Sequence, residues 1–260
     1  MKKFPASLIG ILLLTSSCSI SWEYGSSSNS KETRSFDLAS TGISTLRVKA
    51  HNGSIVIHPG SDSFQGKVDI TVHASSETEA NELLQEAKLS EKTSGETLEM
   101  SVPKPKGAKG VSSSWDISVP SGVHLELFSS NGKIDVKEGA GDVLADTSNG
   151  SINVVSNSGS AKLDTSNGKV YLRGLPTNFV IESSNGNVQV HLDGDWSGDG
   201  VVDTSNGSIK VSCSGKLGCE VRSDTSNGKI KVEQSPGPGL LRLDTSNSSI
   251  TVTQNEKQSP

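Results

Sequence analysis

The 260-residue chain is 32% hydrophobic and only 4% aromatic, with a formal charge of −5 and a mean hydropathy of −0.34. That is thin material for one thick globular core, and its abundance of Gly, Ser, Asn, Asp and Thr favours turn-dense β structure over helical packing. A pI near 5.6, with no long basic run or basic aromatic platform, excludes the electrostatic footprint of a nucleic-acid binder.

In chain order the first element is an export signal. "MKK" is a basic n-region, and "FPASLIGILLLTSSCSI" supplies an apolar stretch too short for a membrane span, ending in small residues. Thr15, Ser16 and Ser17 lead into Cys18, which resembles a bacterial lipoprotein signal in which the cysteine becomes the lipidated first residue. The departure is Leu14, which stands four rather than three positions before Cys18; ordinary signal cleavage is the alternative. Removing residues 1–17 takes away Lys2 and Lys3 and no acids, moving the formal charge from −5 to −7. Residues 18–34, including "YGSSSNSKET", then form a lipidated polar tether.

Residues 35–120 read as a β-rich region with one helix. "STLRVKA", "SIVIHP" and "GKVDITVHA" have strand texture. Ala80, Leu83, Leu84 and Ala87 then recur at helical spacing, and Ser76 with Glu79 makes a capping box, placing a helix over about 76–90. "ETLEMSVP" and "SWDISVP" return to strands around the loop "KPKGAKG".

From 121 to 253 a repeat takes over, followed by a polar tail at 254–260. Asn131, Asn149, Asn167, Asn185, Asn206, Asn227 and Asn247 recur at intervals of 18, 18, 18, 21, 21 and 20 residues, each inside an SN(G/S) turn. "HNGSIVI" around Asn52 is an isolated earlier copy. In "AKLDTSNGKVYL", Leu163 and Thr165 share a face before the turn, Val170 and Leu172 share one after it, and Asn167-Gly168 suits a bend with positive φ. Asn-Gly could also close a hairpin meander. Uniformity favours coils stacked on identical coils, because only there do equivalent positions touch. The expected fold is therefore all-β: a parallel β-solenoid of about seven short coils, roughly 35 Å long at ~4.8 Å per coil, after a β-rich region carrying one α-helix. "DTSNSSI", with Ser248 for the glycine, reads as the terminal rung and cap.

Stacking turns each motif position into a column. The asparagines form a ladder of amides. Asp146, Asp164, Glu182, Asp203, Asp224 and Asp244, with Phe128 in the first rung, form an acidic column that needs relief. Three sources are open: capping by the turn's own N–H groups, screening by Lys133, Lys169 and Lys229, or Ca²⁺ bound along Asp146, Asp164, Asp203, Asp224 and Asp244. Calcium is thus the one cofactor in view. Lipidation of Cys18 leaves Cys213 and Cys219 around "SGKLG", and an exported compartment favours a disulfide there over a redox or metal site. Asn52, Asn149 and Asn206 fall in N-glycosylation patterns as by-products of the repeat. His51, His58, His73, His124 and His191 lack metal-ligand spacing, and no nucleophile elbow, P-loop or dinucleotide fingerprint occurs.

The early "NGSIVI" strand, the strand ending in "VP" in "SWDISVPSGVHLELFSSNGKIDV" and the run of "SNGxIxV" units resemble the bacterial putative-adhesin, β-strand-repeat family over roughly Phe36 to Val252. The resemblance implies a β-solenoid-like fold in exported proteins and supplies no catalytic residues. The expected function is a non-catalytic adhesin or cell-envelope interaction protein, lipid-anchored to the outer membrane and periplasmic or surface-facing. Its partner would be a surface glycan or protein, met through the outward positions Asp135, Asn153, Tyr171, Gln189, Lys210, Lys231 and Thr251. A structural or stress-sensing envelope component binding another exported protein is the alternative. A polysaccharide-active β-helix enzyme is disfavoured, because the repeat sets no carboxylate pair apart.

Overall fold

The computed structural model describes residues 16–17, 28–233 and 235–254; Cys18 and the tail at 255–260 lie outside them. The N-terminal part contains β1 (Ser16–Ser17), β2 (Ser28–Leu38), β3 (Thr45–Lys49), β4 (Ile55–Pro59), β5 (Phe64–Ala74), α1 (Glu77–Glu86), β6 (Ser90–Ser94), β7 (Thr97–Ser101) and β8 (Gly110–Val119). The repeat supplies strand pairs, one strand on each side of every SN(G/S) turn. These are β9 (His124–Ser129) and β10 (Ile134–Val136), β11 (Val143–Thr147) and β12 (Ile152–Asn157), β13 (Ala161–Thr165) and β14 (Val170–Gly174), and β15 (Asn178–Ser183) and β16 (Val188–Leu192). They continue with β17 (Asp199–Thr204) and β18 (Ile209–Cys213), β19 (Gly218–Thr225) and β20 (Ile230–Val232), and β21 (Ser235–Thr245) and β22 (Ile250–Gln254).

The strands before each turn stack into one sheet and those after it into another. The first sheet runs β19-β21-β17-β15-β13-β11-β9-β3-β7-β6, the second β1-β2-β5-β8-β4-β10-β12-β14-β16-β18-β22-β20. Pairing within the repeat is parallel and in register, so Asp146 lies beside Asp164 and Val170 beside Val188. Parallel neighbours exclude the hairpin meander and establish the solenoid. Its core is one layer deep: Leu163 and Ile181 from one sheet and Val154, Leu172 and Val190 from the other are fully buried.

Three boundaries and the order of the rungs differ from the sequence expectations. The polar tether ends early, because β2 begins at Ser28 and pairs along its whole length with β5. The division at 120 disappears, because β3 and β4 pair in parallel with β9 and β10. The Asn52 copy is therefore the first of eight motif rungs, and the chain between β4 and β9 is an excursion that adds one further parallel pair, β7 on β3 and β8 on β4. Beyond β8, β5 and then β2 extend the second sheet antiparallel, and α1 packs on β2 and β5. Helix α1 is shorter than expected. Ser76 Oγ accepts from Glu79 N–H (3.2 Å), Glu79 accepts from Ser75 N–H (2.9 Å), and the Arg34 guanidinium ends the helix on the carbonyls of Leu84 and Ala87.

The fourth difference is the order of the rungs. The β21/β22 rung, which carries "DTSNSSI", is not terminal: it lies between the β17/β18 rung and the β19/β20 rung. Inward-facing side chains explain this. Gly200 on β17 stands beside Phe179 and Leu241, and a Cβ there would come within 2.5 Å of the Phe179 ring and 2.8 Å of Leu241. The gap at Gly200 is thus filled by a large residue on each side, which β21 supplies and Val221 at the equivalent place on β19 does not. Leu241, Leu243, Ile250 and Val252 are fully buried, whereas β19 carries Ser223 beside Leu243 and leaves Ile230 of its rung 46% exposed. The apolar rung goes inside and the poorer one ends the stack.

Candidate functional site

The repeated corner carries a continuous ladder of side-chain amides. Asn149 Nδ2 donates to Asn131 Oδ1 (2.6 Å), Asn167 to Asn149 (2.7 Å), Asn185 to Asn167 (2.8 Å) and Asn206 to Asn185 (2.8 Å). Asn247 continues to Asn206 (2.7 Å) and Asn227 to Asn247 (2.9 Å), following the spatial rather than the sequence order, while Asn131 donates to Asn52 at the other end. The amides are exposed, in a line beside an exposed serine column that includes Ser148, Ser166, Ser184 and Ser205.

Behind this ladder lies a buried one that pattern reasoning assigned simply to the core. Thr165 Oγ1 accepts from Gly168 N–H (3.1 Å) and donates to Gly150 C=O in the adjacent rung (3.0 Å). Thr147 and Thr204 repeat both bonds, and Ser129 does the same from the Asn131 turn. The signal for it was present: a hydroxyl residue three before every motif glycine from Gly132 to Gly228. The glycines serve close approach instead of positive φ, which occurs at other glycines such as Gly122 and Gly174. A Cβ on Gly168 would lie 1.8 Å from Gly150 O, and one on Gly186 1.7 Å from Gly168 O.

The acidic column lies on the outer face of the first sheet, one carboxylate per rung. The turn N–H groups do not cap these acids: Ser148 and Asn149 both donate to Ser130 O (3.1 Å), and Ser166 and Asn167 to Ser148 O (3.1 Å). Lys133 is spent elsewhere, on Asp135 (2.9 Å), while Arg242 holds Asp244 (2.6 Å). Partial burial, reinforced by the charge of Asp164, pushes the Asp146 carboxyl up. Among the described residues no group of three or more His, Cys, Asp or Glu is placed to hold a metal ion, and one carboxylate per rung does not build the six- to eight-oxygen shell of Ca²⁺.

The outward positions after the turn do form one column, Asp135, Asn153, Tyr171, Gln189, Lys210, Thr251 and Lys231 in spatial order. Asp135 is not free in it. It is 7% exposed; burial would raise its pKa, but hydrogen bonds from Lys137, Asn153 and Lys133 hold it at about 2. Beside this column, Arg173 grips both Asp193 oxygens (3.1 Å), His191 Nε2 meets Asp193 (3.2 Å), and His191 Nδ1 meets Ser212 Oγ (2.8 Å). With Arg173, His191 and Ser212 on successive strands and the Ser212 hydroxyl also directed at Val190 O (3.4 Å), this is a cross-rung polar ladder.

The expected Cys213–Cys219 disulfide is absent: both are buried free thiols. They face the core from opposite sheets, and Cys213 Sγ donates to Gly194 O (3.0 Å). Burial first, then the neighbouring Cys213, pushes the Cys219 thiol up to about 11, which makes it a poor nucleophile.

One concave surface sits on the outer face of the first sheet. A groove of about 440 Å³ crosses β9, β11, β13 and β15, with Leu144 and Val180 among Glu126, Lys162, His124 and Asp142. His124 Nδ1 lies 2.9 Å from Asp142, which is held below the usual carboxylate range by the Ser160 N–H and then by His124. Half-exposed Val201 continues the Leu144–Lys162–Val180 column into the next rung.

Fold and surface together define a parallel β-solenoid with an N-terminal antiparallel extension. Three solved bacterial structures are similar to it. They are described as a putative cell adhesion protein from Clostridium sporogenes (12% identity over 87% of this chain and 100% of that one, TM-score 0.40), a putative adhesin from Bacteroides fragilis (15%, 85% and 96%, 0.46) and a putative adhesin from Parabacteroides distasonis (12%, 86% and 97%, 0.43). No family model and no curated protein matches the chain. No helix among the described residues is long and apolar enough to cross a membrane.

Proposed function

We propose that the chain is a non-catalytic, exported adhesin or cell-envelope interaction protein, anchored through lipid on Cys18 and binding a surface glycan or protein segment along the solenoid. The groove on the first sheet carries this reading. It is open, spans several rungs, and alternates apolar Leu144 and Val180 with charged Glu126 and Lys162 along one column. An extended ligand laid along it meets charged and apolar side chains in turn, so weak contacts add within one molecule.

The test is retention of the purified chain on an array of cell-envelope polysaccharides and on intact bacteria. Leu144→Glu together with Val180→Glu is expected to weaken retention at least ~tenfold with the melting temperature unchanged, as buried apolar contact is replaced by charge. Retention unaffected by these substitutions, or no retention on any surface, would sink the proposal. Protease shaving of intact cells then separates outward display, which permits cleavage, from a periplasmic position, which protects.

A further inference from the structure

Seven Asn-Gly pairs stand at the corners of the stack. Such a pair is chemically perishable, because the glycine nitrogen, unshielded by any side chain, can attack the amide carbon of the preceding asparagine. Two holds restrain six of the pairs. The glycine N–H donates to the hydroxyl three residues earlier, at 2.9 to 3.3 Å, from Gly132 on Ser129 to Gly228 on Thr225. The asparagine Nδ2, which would have to leave, donates to the next amide of the ladder.

Asn52-Gly53 has neither hold. Three residues before Gly53 stands the buried methyl of Ala50 instead of a hydroxyl, and the Gly53 N–H meets no acceptor among the described residues. Every ladder bond is donated in the same direction, so Asn52 is the member that only accepts. Its Oδ1 takes the Asn131 amide hydrogen, and its own Nδ2 has no acceptor among the described residues. That one remaining bond favours attack on the amide. Negative charge develops on Oδ1 as the tetrahedral intermediate forms, and a donor already faces it. Asn52 is exposed, so water reaches the corner.

We propose that Asn52 is a site of self-modification, where the folded chain converts its own amide to an acid with water as the only co-reactant. The Gly53 nitrogen gives its proton to hydroxide and bonds to Cγ of Asn52. The Cγ–Nδ2 bond breaks, and the amide nitrogen takes a proton from water and leaves as ammonia. Water then opens the resulting succinimide. Opening at Cγ leaves an aspartate at this position; opening at the main-chain carbonyl leaves an isoaspartate, with the chain rerouted through the side chain. Neither oxidant nor reductant is needed. The change falls on the seam between the repeat and the N-terminal excursion. There His51 C=O accepts from Ser130 N–H (2.8 Å) and Gly53 C=O from Ser129 Oγ (2.9 Å). A charge, and in the isoaspartate an added main-chain carbon, loosen that seam.

Peptide mapping by mass spectrometry after incubation in mildly alkaline buffer tests this, with the other six pairs as internal references. In the folded chain Asn52 is expected to convert at least ~tenfold faster than any of them, and in urea all seven are expected to converge to within about threefold. Ala50→Ser supplies the missing hydroxyl and is expected to slow Asn52 at least ~fivefold while leaving the other six unchanged. Should that variant lose its fold, all seven pairs react at the urea rate. Thr165→Ala then makes the reverse test, since freeing the Gly168 N–H is expected to move Asn167 ahead of the other five pairs that keep their hydroxyl. A folded chain in which Asn52 is not the first to convert overturns the proposal. So does a folded Ala50→Ser chain with Asn52 as fast as before, or a Thr165→Ala chain with Asn167 as slow as before.

Discussion

Gly168 and Thr165 form a unit in which a missing Cβ and a present hydroxyl do complementary work. Gly168→Ala puts a Cβ 1.8 Å from Gly150 O, forces two stacked turns apart and is expected to cost about 3 kcal/mol or more in urea unfolding. Thr165→Val strips partners from a buried N–H and C=O and is expected to cost about 2–3 kcal/mol, whereas Thr165→Ser keeps both bonds and costs less than about 1 kcal/mol. Two aspartates then give opposite pH signatures. The folded pKa of Asp135, about 2, lies below its unfolded value, so its contribution is complete above the ordinary carboxylate range and lost as pH falls toward 2. Asp146 is shifted upward, so the folded state gains from its protonation and loses that gain as pH rises. Asp135→Asn should therefore flatten acid destabilisation and lower stability at neutral pH, while Asp146→Asn should raise stability at neutral pH. Urea midpoints measured between pH 2 and 7 check both signs.

Among the elements, α1 and most strands follow their local patterns, but the rungs do not follow chain order. Burial on both sides of β21/β22 and on one side of β19/β20 makes a kinetic forecast. Amide hydrogens of Leu243 and Val252 should exchange at least ~tenfold more slowly than those of Ser223 and Val232. A sequentially ordered stack predicts the reverse, so residue-resolved hydrogen exchange separates the two. The N-terminal excursion is explained at this scale too. It leaves after β4 and returns at β9 without breaking the stack, because β3 and β4 present the same inward apolar alternation as every later rung.

For the whole molecule, a core one side chain thick means that stability is spread along the axis and that hydrogen-bonded columns bear much of the specificity. Carboxylates spaced one per rung do not gather the oxygens of a Ca²⁺ shell among the described residues. The melting temperature is expected to be the same in millimolar Ca²⁺ and in excess chelator. A rise of several degrees with Ca²⁺ would show that the column gathers ligands in a way this register does not provide.

The amino-acid sequence alone determined that seven near-identical units follow Val123, that equivalent positions must form columns, and that a capped helix interrupts the early strands. Period and register are local properties, repeated often enough to be legible. Nearly identical units also pair with nearly identical energies, which is why the order of rungs could not be read from the motif. It rests on one cavity at Gly200, filled by Phe179 and Leu241, and on Ser223 standing where other rungs carry an aliphatic side chain. The same limit applies to the thiols, which six residues of separation made into a disulfide and the opposite sheets made into two buried side chains. Tertiary structure alone decided which rung is outermost and where the groove lies, because these depend on contacts between units that the sequence writes alike.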